Sequence, residues 1–115
     1  MDRQSEEGFP TDWVSAWNAH DLERILGHYD PAIVFLSPVA QRRVGNGRVV
    51  GLEALRAYWA GGLAAQPDLR FELVDVLTGH DALTILYRNH RGQSAAETFE
   101  FGASGKVVRS FACYS

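Results

Sequence analysis

Several features are scarce in this sequence, and each absence excludes a class of protein. Cys113 is the single cysteine among 115 residues, so no disulfide can form within the chain. No apolar run is long enough to span a bilayer, and the opening MDRQSEEGFP lacks the apolar core of a signal peptide. Acidic residues outnumber basic ones, 14 against 11, whereas a nucleic-acid or anionic-membrane partner favours a basic face. We therefore expect a cytoplasmic protein with neither nucleic acid nor membrane as a partner.

The composition is typical of one globular domain. Apolar residues make up 46% of the chain and charged residues 22%, and 115 residues suffice for one hydrophobic core but not for two. The acidic, polar stretch 1–10 is predicted to be a disordered or frayed tail. Residues 11–115 are predicted to form the single domain.

The first half of the sequence has the apolar spacing of helices, interrupted by one strand. Capping residues, prolines and glycines mark the predicted limits of each element. In chain order we predict a helix capped by Thr11, a helix from the Asp21 cap to Tyr29, a strand Ile33–Leu36 ended by Ser37-Pro38, a mobile loop Gln41–Val50, and a helix Leu52–Ala65.

The second half changes to the alternating pattern of strands. Short turn sequences rich in glycine separate these strands, so they are predicted to be antiparallel neighbours. The four predicted strands are 69–76, Ala82–Asn89, Ala95–Phe101 and Lys106–Tyr114. Helices followed by an antiparallel meander predict an α+β domain with helices packed on one face of a curved sheet.

Three segments resemble a known superfamily. They are WVSAWNAHDLERILGHYDP from Trp13 to Pro31, VVGLEALRAYW from Val49 to Trp59, and GKVVRSFACY from Gly105 to Tyr114. With the element order, they resemble the nuclear transport factor 2-like cone fold, which includes the SnoaL-like polyketide cyclases and ketosteroid isomerase. The resemblance implies N-terminal helices on the concave face of a cone-shaped antiparallel sheet, and a homodimer formed through that sheet. This fold hosts enzymes, binding modules and dimerisation domains alike.

The resemblance to the isomerase branch is partial. The place of its general base, an aspartate before a proline, holds Ser37, and the place of its tyrosine oxyanion donor matches Trp13. A serine hydroxyl needs a partner to take its proton, and an indole N–H donates a hydrogen bond without transferring a proton. The place of its second, carboxylic-acid donor matches Glu97, so one of three positions is retained.

Glu97 is the best single candidate for chemistry. It is predicted to share a strand face with Ala95, Phe99 and Phe101, where desolvation would raise the carboxyl pKa and keep it protonated. The alternative is an exposed Glu97, or one paired with Arg88 across the hairpin. A second carboxylate in the pocket is not evident, because Asp75 points inward only if no bulge intervenes in its strand.

Aromatic residues at helix and strand positions are predicted to line the pocket or fill the core. The predicted pocket residues are Trp13, Trp17, Tyr29, Phe35, Trp59, Phe71, Phe99 and Tyr114. Ser37 and Tyr58 are predicted helpers of Glu97. Placing Tyr114 inward turns Cys113 outward, so Cys113 is not read as a nucleophile. The sequence does not decide which face of Ala82–Asn89 points inward.

Neither a metal nor another cofactor is expected, because His20, His28, His80 and His90 lack metal-ligand spacing. The arginines 42, 43 and 48 either recruit an anionic substrate to the cavity mouth or form a solvated loop. Two function classes follow. One is a cyclase, isomerase or hydrolase acting without a cofactor on a small hydrophobic cyclic or carbonyl compound. The other is a non-catalytic small-molecule-binding or dimerisation module.

Overall fold

Helices dominate the first half of the chain and strands the second. A computed structural model describes the backbone of residues 3–115 and the side chains from residue 8 onward. The elements are α1 (Arg3–Asn18), α2 (Leu22–Leu26), β1 (Tyr29–Leu36), α3 (Pro38–Val44), β2 (Arg48–Val50), α4 (Leu52–Ala65), β3 (Glu72–Gly79), β4 (Ala82–Arg88), β5 (Ser94–Phe101) and β6 (Val107–Tyr114). Within 3–115, no helix is long and apolar enough to cross a membrane.

The six strands found within residues 3–115 form one curved, unclosed sheet in the order β2-β1-β6-β5-β4-β3. β1 and β6 are parallel, and every other neighbouring pair is antiparallel, as predicted for the meander β3 to β6. Buried residues of α1 and α4 belong to the same core as the inward residues of the strands. The domain is thus the predicted α+β cone, with helices packed against the concave face of its sheet.

The inward face of β4 is now defined. Leu83, Ile85 and Tyr87 are buried, whereas the residues that alternate with them are partly or fully exposed. On β5 the buried set is Ala95, Glu97, Phe99 and Phe101, as the alternation predicted. The side chains of Glu97 and Tyr87 therefore share the interior of the cone.

Two helices, α2 and α4, begin where the sequence predicts. Asp21 caps α2 with its side chain, which accepts a hydrogen bond from the backbone N–H of Arg24. α4 has the predicted limits, Leu52–Ala65, and buries Leu55 and Trp59.

The first helix begins earlier than predicted. The sequence predicts a frayed tail over 1–10 and a cap at Thr11, yet α1 begins at Arg3 and continues through Pro10. Residues 1 and 2 lie outside the described part of the chain. Phe9 is buried and packs edge-on against Phe99, Phe101 and the ring of His28. This packing outweighs the poor helix propensity of Gly8 and Pro10.

The predicted end of the second helix and the predicted start of the first strand, both near Tyr29, are wrong. α2 ends at Leu26 with Gly27 as its cap, and Tyr29 is the first residue of β1 rather than the last of a helix. Pro31 lies inside this strand, where it cannot donate a backbone hydrogen bond. The pairing of β1 with β6 accordingly shifts register between Tyr29 and Val34, which is where proline is tolerated in a sheet.

The loop predicted over Gln41–Val50 is also wrong. Ser37 caps a helix, α3, with Pro38 at its first position, and Gly45 ends it with a φ of 77°. Serine followed by proline is a helix-start signal as well as a strand-end signal, and here it is both. The last three residues of the predicted loop form β2, which pairs with β1.

The third strand is displaced relative to its prediction, running from Glu72 to Gly79 instead of 69–76. A bulge lies between Leu73 and Asp75, and Asp75 is exposed, opposite Leu86 on the outer face of β4. The possibility of Asp75 as a second carboxylate inside the cone is therefore excluded.

Candidate functional site

A chamber of about 80 Å³ lies between α1, α4 and the inner face of the sheet. Six of the predicted pocket residues line it: Trp13, Trp17, Phe35, Trp59, Phe71 and Tyr114. The other two, Tyr29 and Phe99, are buried behind this wall. Helices α1 and α4 supply the three tryptophans, strands β1 and β6 supply Phe35 and Tyr114, and Phe71 directly precedes β3. The elements that close the cone therefore also form the chamber.

The aromatic wall is held by close ring packing. Trp17 meets Trp59 edge-on with 5.0 Å between ring centroids, and Trp13 stacks on Phe71 at 5.6 Å. The indole N–H of Trp13 donates a 3.0 Å hydrogen bond to the hydroxyl of Tyr29. Trp13, which the resemblance matched to the isomerase tyrosine, therefore directs its N–H to a protein partner.

Glu97 lies within this chamber, 4% exposed, between Ile85 on β4 and Ala112 on β6. The hydroxyl of Ser110 donates a 3.3 Å hydrogen bond to Oε2 of Glu97. Burial raises the pKa of Glu97 to about 8, and the Ser110 hydrogen bond offsets only part of that rise. The carboxyl group is therefore mostly protonated at neutral pH.

The predicted alternatives for Glu97 do not hold. The group is not on an exposed face, and Arg88 is itself exposed at the outer end of β4. Within the described residues, no ion pair joins Arg88 to Glu97. A buried acid without a cationic partner remains neutral because ionising it would leave an uncompensated charge in an apolar site.

Four tyrosine hydroxyl groups surround the acid: Tyr29, Tyr58, Tyr87 and Tyr114. Burial raises the pKa of each, and the negative charge of an ionised Glu97 raises it further. For Tyr114 the pKa rises to about 12. All four phenols therefore stay protonated through the physiological range and remain able to donate hydrogen bonds.

Ser37 is buried at the N-terminus of α3, where its hydroxyl oxygen accepts hydrogen bonds from the backbone N–H groups of Val39 and Ala40. Hydrogen bonding with the Ser37 side chain also lowers the pKa of Tyr58 and of Tyr114, but burial raises both pKa values by more. Ser37 therefore anchors α3 and orders two phenols of the chamber.

The chamber opens into a wider mouth of about 350 Å³. Arg42 and Arg43 of α3 line this mouth, together with Arg91 from the turn between β4 and β5. Arg48, which the sequence grouped with the first two, lies on β2 and does not line it. Within the described residues, no group of three or more His, Cys, Asp or Glu side chains could hold a metal ion.

Sequence reasoning left the direction of Tyr87 open and missed Ser110 and Arg91 as residues of the site. The alternation of β4 contained the signal for Tyr87, but both faces of that strand are apolar enough to be buried. Ser110 alternates with Ala112 and Tyr114 on β6, so placing Tyr114 inward also predicts an inward Ser110. Cys113 is exposed on the opposite face, as expected.

The model of the SnoaL-like domain matches residues 11–111 of this sequence. The chain belongs to the SnoaL-like family. A SnoaL-like protein of unknown function from Burkholderia thailandensis is 39% identical, with a TM-score of 0.94 over 99% of this chain and 97% of the other. No curated protein matches this sequence.

Two more distant structures share the fold of this SnoaL-like domain. AclR, a candidate hydroxylase from Streptomyces galilaeus, is 24% identical with a TM-score of 0.76, over 99% of this chain and 91% of AclR. A candidate isomerase of the SnoaL-like family from Agrobacterium tumefaciens is 13% identical with a TM-score of 0.77, over 97% and 98% of the two chains. At these identities the likeness establishes the architecture alone.

Proposed function

We propose that this SnoaL-like domain binds a small hydrophobic carbonyl compound in its aromatic chamber and transfers a proton on it through Glu97, without a cofactor. The observation that supports this is a carboxyl group with a pKa of about 8, buried among aromatic rings. An acid with a pKa near the working pH is suited to both removing and returning a proton. The proposed reaction class is isomerisation or cyclisation next to a carbonyl group.

A second base is not needed, because one carboxyl group with this pKa can both take up the proton and return it. At pH 7 roughly a tenth of the molecules carry an ionised Glu97, since the pKa is about one unit higher. The carboxylate takes a proton from the carbon beside the carbonyl and becomes the acid that returns it, to the same or to a conjugated carbon. The phenols of Tyr58 and Tyr114 line the chamber and donate hydrogen bonds to the oxygen that gains charge.

Deuterium exchange on a cyclic ketone tests this proposal. We expect the domain to accelerate exchange of the α-protons of 2-tetralone in D2O, measured by proton NMR. The rate should rise with pH and level off above about 8, as the carboxylate of Glu97 forms. Glu97→Gln should reduce the catalysed rate by a factor of about 100 or more, which is the usual contribution of a general base.

Glu100→Gln is the matched control, because Glu100 lies on the same strand but is exposed on the outer face. It should leave the exchange rate unchanged. If 2-tetralone binds but its α-protons exchange equally slowly with the native domain and with Glu97→Gln, proton transfer by Glu97 is excluded. The domain is then better described as a non-catalytic binding module.

We propose in addition that the outer face of the sheet pairs with a second copy of the chain. Leu77 on β3 is 55% exposed there, in one cross-strand row with Thr84, Thr98 and Phe111. A row of apolar and uncharged side chains across several strands favours self-association. The homodimer that the resemblance implied is thereby supported by a specific surface.

Replacing Leu77 with glutamate tests the dimer. A buried charge at a two-fold interface has no partner, so Leu77→Glu should convert a dimer to a monomer in light scattering while leaving circular dichroism unchanged. Val44→Glu is the control, since Val44 is equally exposed, at 58%, but lies at the end of α3 away from the sheet. A native chain that is already monomeric would contradict the proposal.

A further inference from the structure

The chamber and the mouth form one continuous recess. They share the lining residues Val39, Arg43, Gln66, Leu69, Phe71, Tyr87 and Tyr114. The deep end is aromatic and contains Glu97, whereas the outer end is polar. A ligand that fills both parts is therefore elongated and amphipathic, with its apolar portion innermost.

The charge of the mouth is opposite to that of the chain. Arg42, Arg43 and Arg91 line it with no aspartate or glutamate among the lining residues, although the chain has a net charge of −3. None of the ion pairs within the described residues involves these three arginines. Their guanidinium groups are therefore available to an anion from solution.

Arg43 connects the two parts of the recess. Its Nη1 atom lies against α4, only 3.2 Å from where a Cβ of Gly62 would be, so the absence of a side chain at Gly62 makes room for it. The positive charge of Arg43 lowers the pKa of Tyr58, against the larger effect of burial, which places the guanidinium near that phenol. An anionic group held by Arg43 would thus sit at the entrance of the chamber.

Unpaired polar atoms occur at both ends of the recess. Among the buried side-chain nitrogen and oxygen atoms of the described residues, Trp17 Nε1 and His90 Nδ1 have no hydrogen-bond partner. Trp17, 6% exposed, lines the chamber, and His90 lines the mouth. Buried polar groups in native proteins are nearly always paired, so both nitrogen atoms are free to form hydrogen bonds with a bound molecule.

We infer that the ligand is a small planar keto acid, an aromatic or conjugated ring carrying a ketone at one end and a carboxylate at the other. The carboxylate pairs with the guanidinium of Arg43, while Arg42, Arg91 and His90 line the mouth around it. The ketone oxygen accepts a hydrogen bond from the indole N–H of Trp17, beside those proposed from Tyr58 and Tyr114. This inference rests on the proposed function and specifies its substrate class. The planar guanidinium matches a carboxylate through two parallel hydrogen bonds.

Calorimetric titration with 4-acetylbenzoate and its methyl ester tests the inference, because these probes differ in charge and share the ketone. We expect the acid to bind about tenfold more tightly than the ester at low salt, which corresponds to one charge-assisted hydrogen-bonded pair. Arg43→Gln should remove that preference by weakening the acid alone. Arg48→Gln, an exposed arginine outside the recess, should leave both affinities unchanged.

Trp17→Phe tests the other end, since it removes the N–H and keeps a ring. It should weaken the acid and the ester by the same factor, about fivefold, and leave benzoate, which lacks the ketone, unaffected. Equal binding of acid and ester, a preference that survives Arg43→Gln, or no binding of either probe would overturn the inference. Loss of 2-tetralone exchange on Glu97→Gln together with equal binding would retain the proposed function and reject the keto acid.

Discussion

Glu97→Gln should make the domain more stable at alkaline pH and nearly abolish the loss of stability that we expect of the native chain between pH 4.5 and 8. The folded state holds the proton of Glu97 up to a pKa of about 8, whereas the ordinary value is 4.5. As pH rises through this window the unfolded chain ionises and the folded chain does not, so the free energy of unfolding falls. Above about pH 8 Glu97 is ionised in both the folded and the unfolded chain, so the free energy of unfolding does not fall further because of this residue.

The expected size of this effect is about 5 kcal/mol, because the two pKa values differ by about 3.5 and each pKa unit corresponds to about 1.4 kcal/mol. Glutamine cannot ionise, and its amide oxygen can still accept the hydrogen bond that Ser110 gives to Glu97. Urea unfolding at pH 5, 7 and 9 would measure the difference between native chain and variant. Glu100→Gln, exposed on the outer face, should follow the native curve. If the free energy of unfolding depended on pH in the same way for the native chain and for Glu97→Gln, the carboxyl group would be solvated in the folded chain and the prediction would be wrong.

The position of Glu97 could be predicted from the sequence because its strand is unambiguous. Ala95, Phe99 and Phe101 share its face, and no equally apolar set competes on the other face of β5. Its hydrogen bond to Ser110 could not be predicted, since it depends on the register between β5 and β6, where Phe99 faces Ser110 and Glu97 faces Ala112. The alternation along a strand predicts which face of the sheet a side chain lies on, whereas its neighbours on adjacent strands depend on the pairing register.

Helix α1 shows where local signals fail. Gly8 and Pro10 argue against a helix before Thr11, and the acidic residues around them argue for a tail. Phe9 reverses this outcome, because its ring is buried against Phe99 and Phe101, far along the sequence. The free energy gained by that burial comes from tertiary packing, which no local window of sequence contains.

The charged mouth is a second example. Arg42 and Arg43 are adjacent in sequence, so their cluster is visible, but the prediction grouped Arg48 with them and left Arg91 out. The fold reverses this: β2 carries Arg48 to the edge of the sheet, and the turn after β4 brings Arg91 to the mouth. Charge clusters that cross elements depend on topology, so the sequence could predict only the part contributed by one helix.

Trp13→Ala should be among the most destabilising single substitutions in this domain. Trp13 is 1% exposed and packs against the rings of Trp17, Phe71, Tyr87 and Phe99. Removing a buried tryptophan costs about 3–5 kcal/mol, while domains of this size are stable by about 5–15 kcal/mol. We therefore expect a much lower midpoint in urea, or a chain that fails to fold at 37 °C, as judged by circular dichroism. A change below about 1 kcal/mol would contradict this placement in the core.

A milder pair of substitutions separates the hydrogen bond of Trp13 from its packing. Trp13→Phe and Trp17→Phe remove the same atoms from two buried indoles, but only Trp13 donates its N–H, to the hydroxyl of Tyr29. Trp13→Phe leaves that buried hydroxyl without its donor, so it should cost about 1–3 kcal/mol more than Trp17→Phe. Tyr29→Phe in the Trp13→Phe background should remove most of this excess, because no hydroxyl then remains unpaired. Equal costs for the two tryptophan substitutions would mean that the Tyr29 hydroxyl finds another partner, and that the chamber wall is held by ring packing alone.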